Sequence, residues 1–288
     1  MSFCYDVKSE ICSKKLGKHC CEHAELLGML MYAHHFGADG CTFQTEHREV
    51  CERFERLCRH CLKCEPKVEL LRGSLLTAEL DADICAKVVD RYACDRSIPA
   101  QAVDKECCAA SFVRGAFLCC GTLVDPNKYY HLELVCEQRT AANWLYALLV
   151  SLGFTPKMSE RDGVPVVYFK DSEQIEDLLT FVGAANSSLE VMNIKVYKDV
   201  RNRVNRKANF EDANYFKTYT ASNRQCQAIE RLIQAGALSG LSNELQLAAR
   251  ARMERPDATL AELADDCGCS RSGLNHRLQK LIDLSEQL

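Results

Sequence analysis

The stretch Ser111–Pro126, "SFVRGAFLCCGTLVDP", decides how the rest of the chain is read. Its apolar and small residues fit a helix that packs closely through Gly115 and runs without a spacer into a strand, "GTLVD". Two adjacent cysteines, Cys119 and Cys120, stand where the helix ends. They are metal ligands, a redox pair, or small residues occupying a place where something else could stand.

Downstream, a Pro-Asn turn leads to a strand, "YYHLELVCE", then a helix over about 139–152 and a strand near 154–160. The Asp162-Gly163 pair closes a hairpin with "VPVVYF", and "DSEQIEDLLTFVG" forms a helix capped by Asp171 or Ser172. The same order occurs earlier in shorter form. A helix, "EHAELLGMLMYAHH", precedes a strand, "CTFQTEH", and a helix, "REVCERFERLCRHCLK"; a strand pair around Arg72-Gly73 and a helix from Asp83 follow. Gly28 and Gly115 are 115 − 28 = 87 residues apart. That period is too long for a solenoid repeat and suits a duplicated α+β unit. We divide the chain into an N-terminal segment 1–20, a duplicated domain 21–200 with repeats at about 21–95 and 105–183, a basic linker 201–220 and a helical domain 221–288.

The 288 residues suffice for two cores, and 47% hydrophobic with 26% charged residues is ordinary for a globular protein. Apolar runs such as Trp144–Leu152 fall short of the ~20 residues of a membrane span. The N-terminal stretch lacks the apolar core of a secretory signal, so no membrane association and a cytoplasmic location are expected. A formal charge of −4 excludes a uniformly basic coat while permitting a local patch. The 19 cysteines are odd in number and scattered, which argues for reduced thiols used as small hydrophobes.

The C-terminal "ATLAELADDCGCSRSGLNHRLQKLIDL" reads as a helix-turn-helix on its own residues. Thr259 and Glu262 have capping-box spacing, Gly268 breaks the first helix, and Ser270 caps the second. Leu274, Leu278, Leu281 and Ile282 fall at i, i+4, i+7, i+8 and form a buried stripe. The opposite face carries Ser272, His276, Gln279 and Lys280, with Asn275 and Arg277 on its shoulders and Arg271 in the first turn. Between Ser270 and Leu281 there are three positive charges and no negative one, whereas the preceding helix carries Glu262, Asp265 and Asp266. Such a face suits a DNA groove; a solvated face in a bundle is the plainer alternative. In the linker, Arg201, Arg203, Arg206 and Lys207 either hold DNA phosphates or cap the end of the preceding helix.

"LLGMLMYAH" (Leu26–His34) and "VRGAFLCCG" (Val113–Gly121) resemble two copies of the LAGLIDADG helix of homing endonucleases, each within an αββαββα unit. Joined to a helix-turn-helix, the chain resembles the WhiA-type regulators of Gram-positive bacteria. The likeness is closest at "FVRGAFLCCGTLVDPNKYYHLE", "VYFKDSEQIEDLLTFVGA", "RNRVNRKANFEDAN" and "SGLNHRLQKL". The resemblance implies an α+β fold, a duplicated saddle of two sheets followed by a small all-α domain. In the nucleases the eighth residue of each motif is an acid that helps bind the catalytic metals. Here those positions are Ala33 and Cys120, and the other acid of the motif is replaced by Met31 and Leu118. A hard cation needs carboxylate oxygen, which a methyl group or thiol does not supply. Asp39 and Asp125 fall in the turn or strand beyond the junction. The opening question therefore resolves toward Cys119 and Cys120 as packing residues.

The resemblance thus implies a non-catalytic, sequence-specific binder of double-stranded DNA, working at the nucleoid in transcription, cell division and chromosome segregation. Sporulation control belongs to some relatives, where an iron–sulfur WhiB-like protein or another regulator is the partner. Thr259, Ser270, Arg271, Ser272, Asn275, His276, Arg277, Gln279 and Lys280 are the expected DNA-binding residues; no cofactor and no metal are expected. Two alternatives remain open to the sequence. One is a residual nuclease. The other is a zinc or iron–sulfur site at Cys58, Cys61 and Cys64, set against a buried helix stripe through Phe54, Leu57, Cys58, Cys61 and Leu62.

Overall fold

The computed structural model describes residues 2–94 and 97–288, which form two compact units, Met1–Lys198 and Asp199–Leu288. The first unit opens with α1 (Phe3–Ser13), whose first turn is capped by the Ser2 hydroxyl accepting from the Tyr5 amide. Next come α2 (His19–Met31), β1 (His35–Gly37), β2 (Gly40–Thr45), α3 (Arg48–Cys61), β3 (Lys67–Arg72), β4 (Leu75–Leu80) and α4 (Ala82–Tyr92). After a short helix, α5 (Ala100–Val103), the series repeats as α6 (Glu106–Cys120), β5 (Gly121–Leu123), β6 (Leu132–Val135), α7 (Arg139–Ser151), β7 (Lys157–Arg161), β8 (Val164–Phe169) and α8 (Ser172–Val182). Each series folds into a four-stranded antiparallel sheet, ordered β1-β2-β4-β3 in one copy and β5-β6-β8-β7 in the other. The shared order is the duplication seen in three dimensions.

The copies meet along α2 and α6. A Cβ placed on Gly28 would lie 2.2 Å from the Phe112 carbonyl oxygen, and one on Gly115 would lie 2.1 Å from that of Glu25. Each glycine faces the residue three before its counterpart, as a two-fold relation between copies requires. The backbones touch, and no side chain fits between them.

Beside this crossing Glu25 is buried at 1% exposure with Arg53 at 0%. Both Arg53 Nε and Nη2 donate to the Glu25 carboxylate, the latter at 3.1 Å, and Arg114 Nη1 of the other copy donates to it at 3.1 Å. Arg53 also reaches the Lys14 carbonyl at 2.8 Å, and Arg114 Nε the Val182 carbonyl at 2.6 Å. One carboxylate thereby joins α2, α3 and α6 and ties down the ends of α1 and α8.

Three differences from the sequence reading have local causes. The first helix of the repeat ends at Met31, and His35 belongs to the three-residue strand β1, too short to show alternation. The segment before residue 21 contains α1, which packs on the core through Val7 and Ile11. The stretch read as a linker is helical throughout, because α9 runs unbroken from Ala185 to Gln234. It contains no proline or glycine, and its asparagines lower helix propensity without breaking it. The expected Asp162-Gly163 turn forms with φ of 52° and 82°, and Asp171 is the cap of α8.

The second unit packs the end of α9 with α10 (Asn243–Glu254), α11 (Leu260–Asp266) and α12 (Arg271–Ser285) around Ile229, Leu232, Ala249, Leu263, Leu274 and Leu278. Among the described residues no helix is long and apolar enough to cross a membrane.

We predict that Gly115→Ala lowers the stability of the first unit by about 3 kcal/mol, since backbone must move to admit the methyl group. Gly240→Ala, with open space at its Cβ position, should cost less than ~0.5 kcal/mol. Denaturant unfolding of the full chain checks both; equal midpoints for the two variants would refute the close crossing.

Candidate nucleic-acid interface

The helix-turn-helix is built by caps at both of its helix starts. Thr259 Oγ1 accepts from the Glu262 amide at 3.3 Å while the Glu262 carboxylate accepts from the Thr259 amide at 2.7 Å, and Ser270 Oγ accepts from the Gly273 amide at 3.1 Å. Hydrogen bonding to Thr259, first through its amide, holds the Glu262 carboxyl below its ordinary value. Between the helices Gly268 adopts φ of 59°, a left-handed conformation, and the Cys269 amide returns to the Ala264 carbonyl at 3.0 Å. Leu274, Leu278, Leu281 and Ile282 point into the core as their spacing requires.

The outward face of α12 carries Arg271, Ser272, Asn275, His276, Gln279 and Lys280, all exposed. Ser272, Asn275, His276 and Gln279 stand at i, i+3, i+4 and i+7, one continuous stripe of hydrogen-bonding groups. Among the described residues, neither Arg271 nor Lys280 has an ion-pair partner. The other expected residues are engaged elsewhere. Arg277 is turned inward to Glu244 of α10 at 3.0 Å, with 22% of its side chain exposed. Thr259 and Ser270 spend their hydroxyl oxygens on caps, and Gln279 donates to Asp283 at 2.8 Å.

Sequence reasoning passed over Arg252, which is 2% exposed and donates to the Pro256 and Ala258 carbonyls at 3.2 and 2.8 Å. It holds the connection between α10 and α11. Nothing in the helical periodicity marks it, because an arginine in the last turn of a surface helix ordinarily points to water.

On α9, Arg201, Arg203, Arg206 and Lys207 are all exposed. Since the helix continues past them to Gln234, the reading in which they cap a helix end is ruled out. Arg203, Arg206 and Lys207 share one face at i, i+3, i+4, and Arg201 lies on another. Lys207 leans toward Glu211 at 3.9 Å, and Arg206 Nε toward its own helix at the Asn202 carbonyl.

The sheets of the first unit present a different surface. Cross-strand register puts Glu133, Tyr168 and Lys157 on one outward row, and Glu133 is bound by Arg161 at 2.7 Å and by His131 at 2.5 Å. Arg139 pairs with Glu160, and on the other sheet Lys67 pairs with Glu69. Within the strands Lys67 and Arg161 are answered by carboxylates, whereas Arg72 and Lys157 have no ion-pair partner among the described residues.

At the motif positions, Ala33 is buried past the end of α2 and the Cys120 thiol donates to the Ala116 carbonyl at 3.2 Å. Hydrogen bonding with Cys136, and then burial, push the Cys120 thiol well above its usual range; burial above all takes Cys119 up to about 12, against the pull of Lys8. Both thiols are spent on main-chain carbonyls, Cys119 on that of Tyr32 at 2.8 Å, which fits packing. Lys8 of α1 donates to the Leu118 carbonyl at 3.1 Å, placing an ammonium group at the C-terminal end of α6. Asp125 is spent on a turn, accepting from the Asn127 amide at 2.8 Å, and Asp39 pairs with His35 at 3.2 Å. Cys58, Cys61 and Cys64 do not converge on a common point among the described residues. Burial pushes the Cys58 thiol far up and Cys61 up to about 12, as expected of a helix stripe in a core.

Fold and site together define a LAGLIDADG-like scaffold, lacking the motif acids, followed by a helix-turn-helix domain. Residues 109–201 match the family described as the WhiA LAGLIDADG-like domain, and residues 204–285 the WhiA C-terminal HTH domain. A protein of Alkaliphilus metalliredigens named "Probable cell division protein WhiA" is 32% identical, with 100% of this chain and 98% of that protein covered. One of the same name from Desulfitobacterium hafniense is 34% identical, covering 100% and 96%. The crystal structure of full-length DUF199/WhiA from Thermatoga maritima superposes with a TM-score of 0.60 at 22% identity, covering 100% of this chain and 99% of that one. The chain belongs to the WhiA family.

We predict that Thr259→Ala costs ~1 kcal/mol of stability in the second unit through loss of the cap. The salt dependence of DNA binding should stay unchanged, because the hydroxyl is already committed. A thermal melt and a salt titration check this; a shallower salt slope in the variant would show that Thr259 contacts phosphate.

Proposed function

We propose that the protein is a non-catalytic, sequence-specific DNA-binding regulator of transcription, serving cell division and chromosome segregation in the cytoplasm at the nucleoid. The observation that carries this reading is the outward face of α12: a stripe of hydrogen-bonding side chains flanked by the unpaired cations Arg271 and Lys280. Side chains of this kind reach base edges in a major groove, each good bidentate contact contributing ~1–3 kcal/mol of discrimination. Ser272, Asn275 and His276 read bases, with Arg271 in the first turn, while Lys280 holds phosphate. Arg203, Arg206 and Lys207 add a sequence-independent contact along one face of α9. The relatives' name supports the link to division. The partner in this reading is double-stranded DNA, together with a WhiB-like or other regulator.

The same proposal gives the saddle no cleavage role. The motif positions hold Ala33 and Cys120, Asp39 and Asp125 are engaged in local turns, and Lys8 brings a cation to the helix end. A divalent ion would find neither its carboxylates nor a favourable field there. Supercoiled plasmids carrying bound sites should remain intact with Mg²⁺ or Mn²⁺; cleavage abolished by Asp39→Asn or Asp125→Asn would defeat the non-catalytic reading.

Sites mapped across the genome supply an operator, and each alanine variant is then measured on operator and scrambled duplex over a salt series. Lys280→Ala should weaken both duplexes alike and lower the salt slope by about 0.9. Asn275→Ala should narrow the gap between them with little change of slope. If Asn275→Ala and His276→Ala behave as wild type while Lys157→Ala and Arg161→Ala abolish discrimination, the saddle is the reader.

A further inference from the structure

Sequence reasoning treated nearly all of the thiols as packing residues and expected no metal. Four of them stand apart. Cys20 and Cys21 lie in the first turn of α2, and Cys107 and Cys108 in the first turn of α6. The four Sγ atoms all lie within 4.8 Å of one another, the one such group of metal-ligating side chains among the described residues. The grouping follows from the duplication. Lys18-His19-Cys20-Cys21 and Lys105-Glu106-Cys107-Cys108 occupy the same register, since 107 − 20 = 87 and 108 − 21 = 87, the offset of the two glycines.

We propose that Cys20, Cys21, Cys107 and Cys108 form a mononuclear zinc site that joins the N-terminal ends of α2 and α6.

The distances fit one ion. Zinc–sulfur bonds of about 2.3 Å in a tetrahedron place the sulfurs ~3.8 Å apart. Cys20 and Cys21 are already at 4.0 Å. An iron–sulfur cluster attaches its thiolates to different iron atoms and needs a wider cage. Four sulfurs also exclude the hard cations, leaving zinc as the common soft-tolerant ion of a closed structural site.

The surroundings favour thiolates. The N-caps of the two helices are Lys18 and Lys105, and neither side chain caps its helix, so the partial positive charge of both helix starts is left for an anion such as thiolate. Ser111 lies beside Cys21 and donates to the Cys107 carbonyl at 2.8 Å, an outer contact of the kind that orients ligands. Packing accounts for the buried pair, Cys21 and Cys108, but Cys20 and Cys107 are exposed and contribute little to a core. Their exposure instead gives the ion its entry path.

The full chain, purified with reductant and without a metal-binding tag, should carry about one zinc per chain by mass spectrometry, and a strong chelator should lower its melting midpoint. Exchange with Co²⁺ should produce the intense visible bands and sulfur-to-metal charge transfer of a tetrahedral four-thiolate site. Cys20→Ser with Cys107→Ser should lose the metal and keep its circular dichroism; Cys58→Ala with Cys61→Ala should keep both. If the double serine variant does not fold, the single exposed variant Cys107→Ser and the cobalt spectrum of the native chain still decide. Fully reduced protein that takes up no zinc on reconstitution overturns the proposal. So do a disulfide within this group trapped directly from cells, iron with acid-labile sulfide, and zinc retained in the double serine variant.

Discussion

The first unit depends on one steric constraint, the contact of two helix backbones at Gly28 and Gly115. Interior helix packing usually holds axes apart by the side chains between them, at 8–10 Å. Here those side chains are absent at the point of crossing. The penalty of a flexible residue inside a helix, roughly 0.5–1 kcal/mol each relative to alanine, is offset by backbone contact and by the layers that close around it. Phe112, Ala116, Met29 and Leu30 are essentially unexposed beside it. Because each glycine faces the residue three before its counterpart, the crossing imposes a local two-fold relation, and the sheets attached to α2 and α6 inherit it.

A buried charge reinforces the same place. Glu25, Arg53 and Arg114 form an ion triad in which every carboxylate oxygen has a partner, and the arginines extend to main-chain carbonyls. Desolvating three charges costs several kcal/mol per ion, so such a triad is weak evidence for stability. What it adds is selectivity of arrangement. An alternative packing of the duplicated helices that separated Arg114 from Glu25 would strand a buried guanidinium, and that state is suppressed. Glycine contact sets how close the copies come; the triad sets how they are aligned.

Much of this was legible in the sequence, and the exceptions divide by cause. Gly28 and Gly115 stood out because the motif around them repeats, and the Asp162-Gly163 turn because its geometry demands those residues. Thr259, Glu262 and Ser270 were read correctly as caps because capping is local, a relation between residues three apart. β1 escaped because three residues cannot show alternation, and the length of α9 because asparagine weakens a helix without stopping it. Arg252, Arg277 and Lys8 escaped for a different reason. Each is a cation whose partner, a carbonyl or Glu244, is fixed only by the fold. The four clustered thiols belong here too: their pairs are separated by most of a repeat, so no local spacing announces them.

The two ends of the crossing helices have diverged in chemistry. At the C-terminal ends the motif acids are gone, the thiols that remain are spent on carbonyls, and Lys8 supplies a positive charge to partial negative helix ends. At the N-terminal ends, where the helix dipole favours anions, two pairs of cysteines converge. On the outward faces of the sheets Glu133 is bound by Arg161 and His131, which neutralises part of the positive charge there. On α12, in the unit with its own core, Arg271 and Lys280 have no ion-pair partner among the described residues and stand beside exposed Ser272, Asn275 and His276. In physical terms the first unit is closed by its glycine crossing and its buried triad, while α12 leaves Asn275, His276, Arg271 and Lys280 exposed, and that is the surface the proposed reading uses.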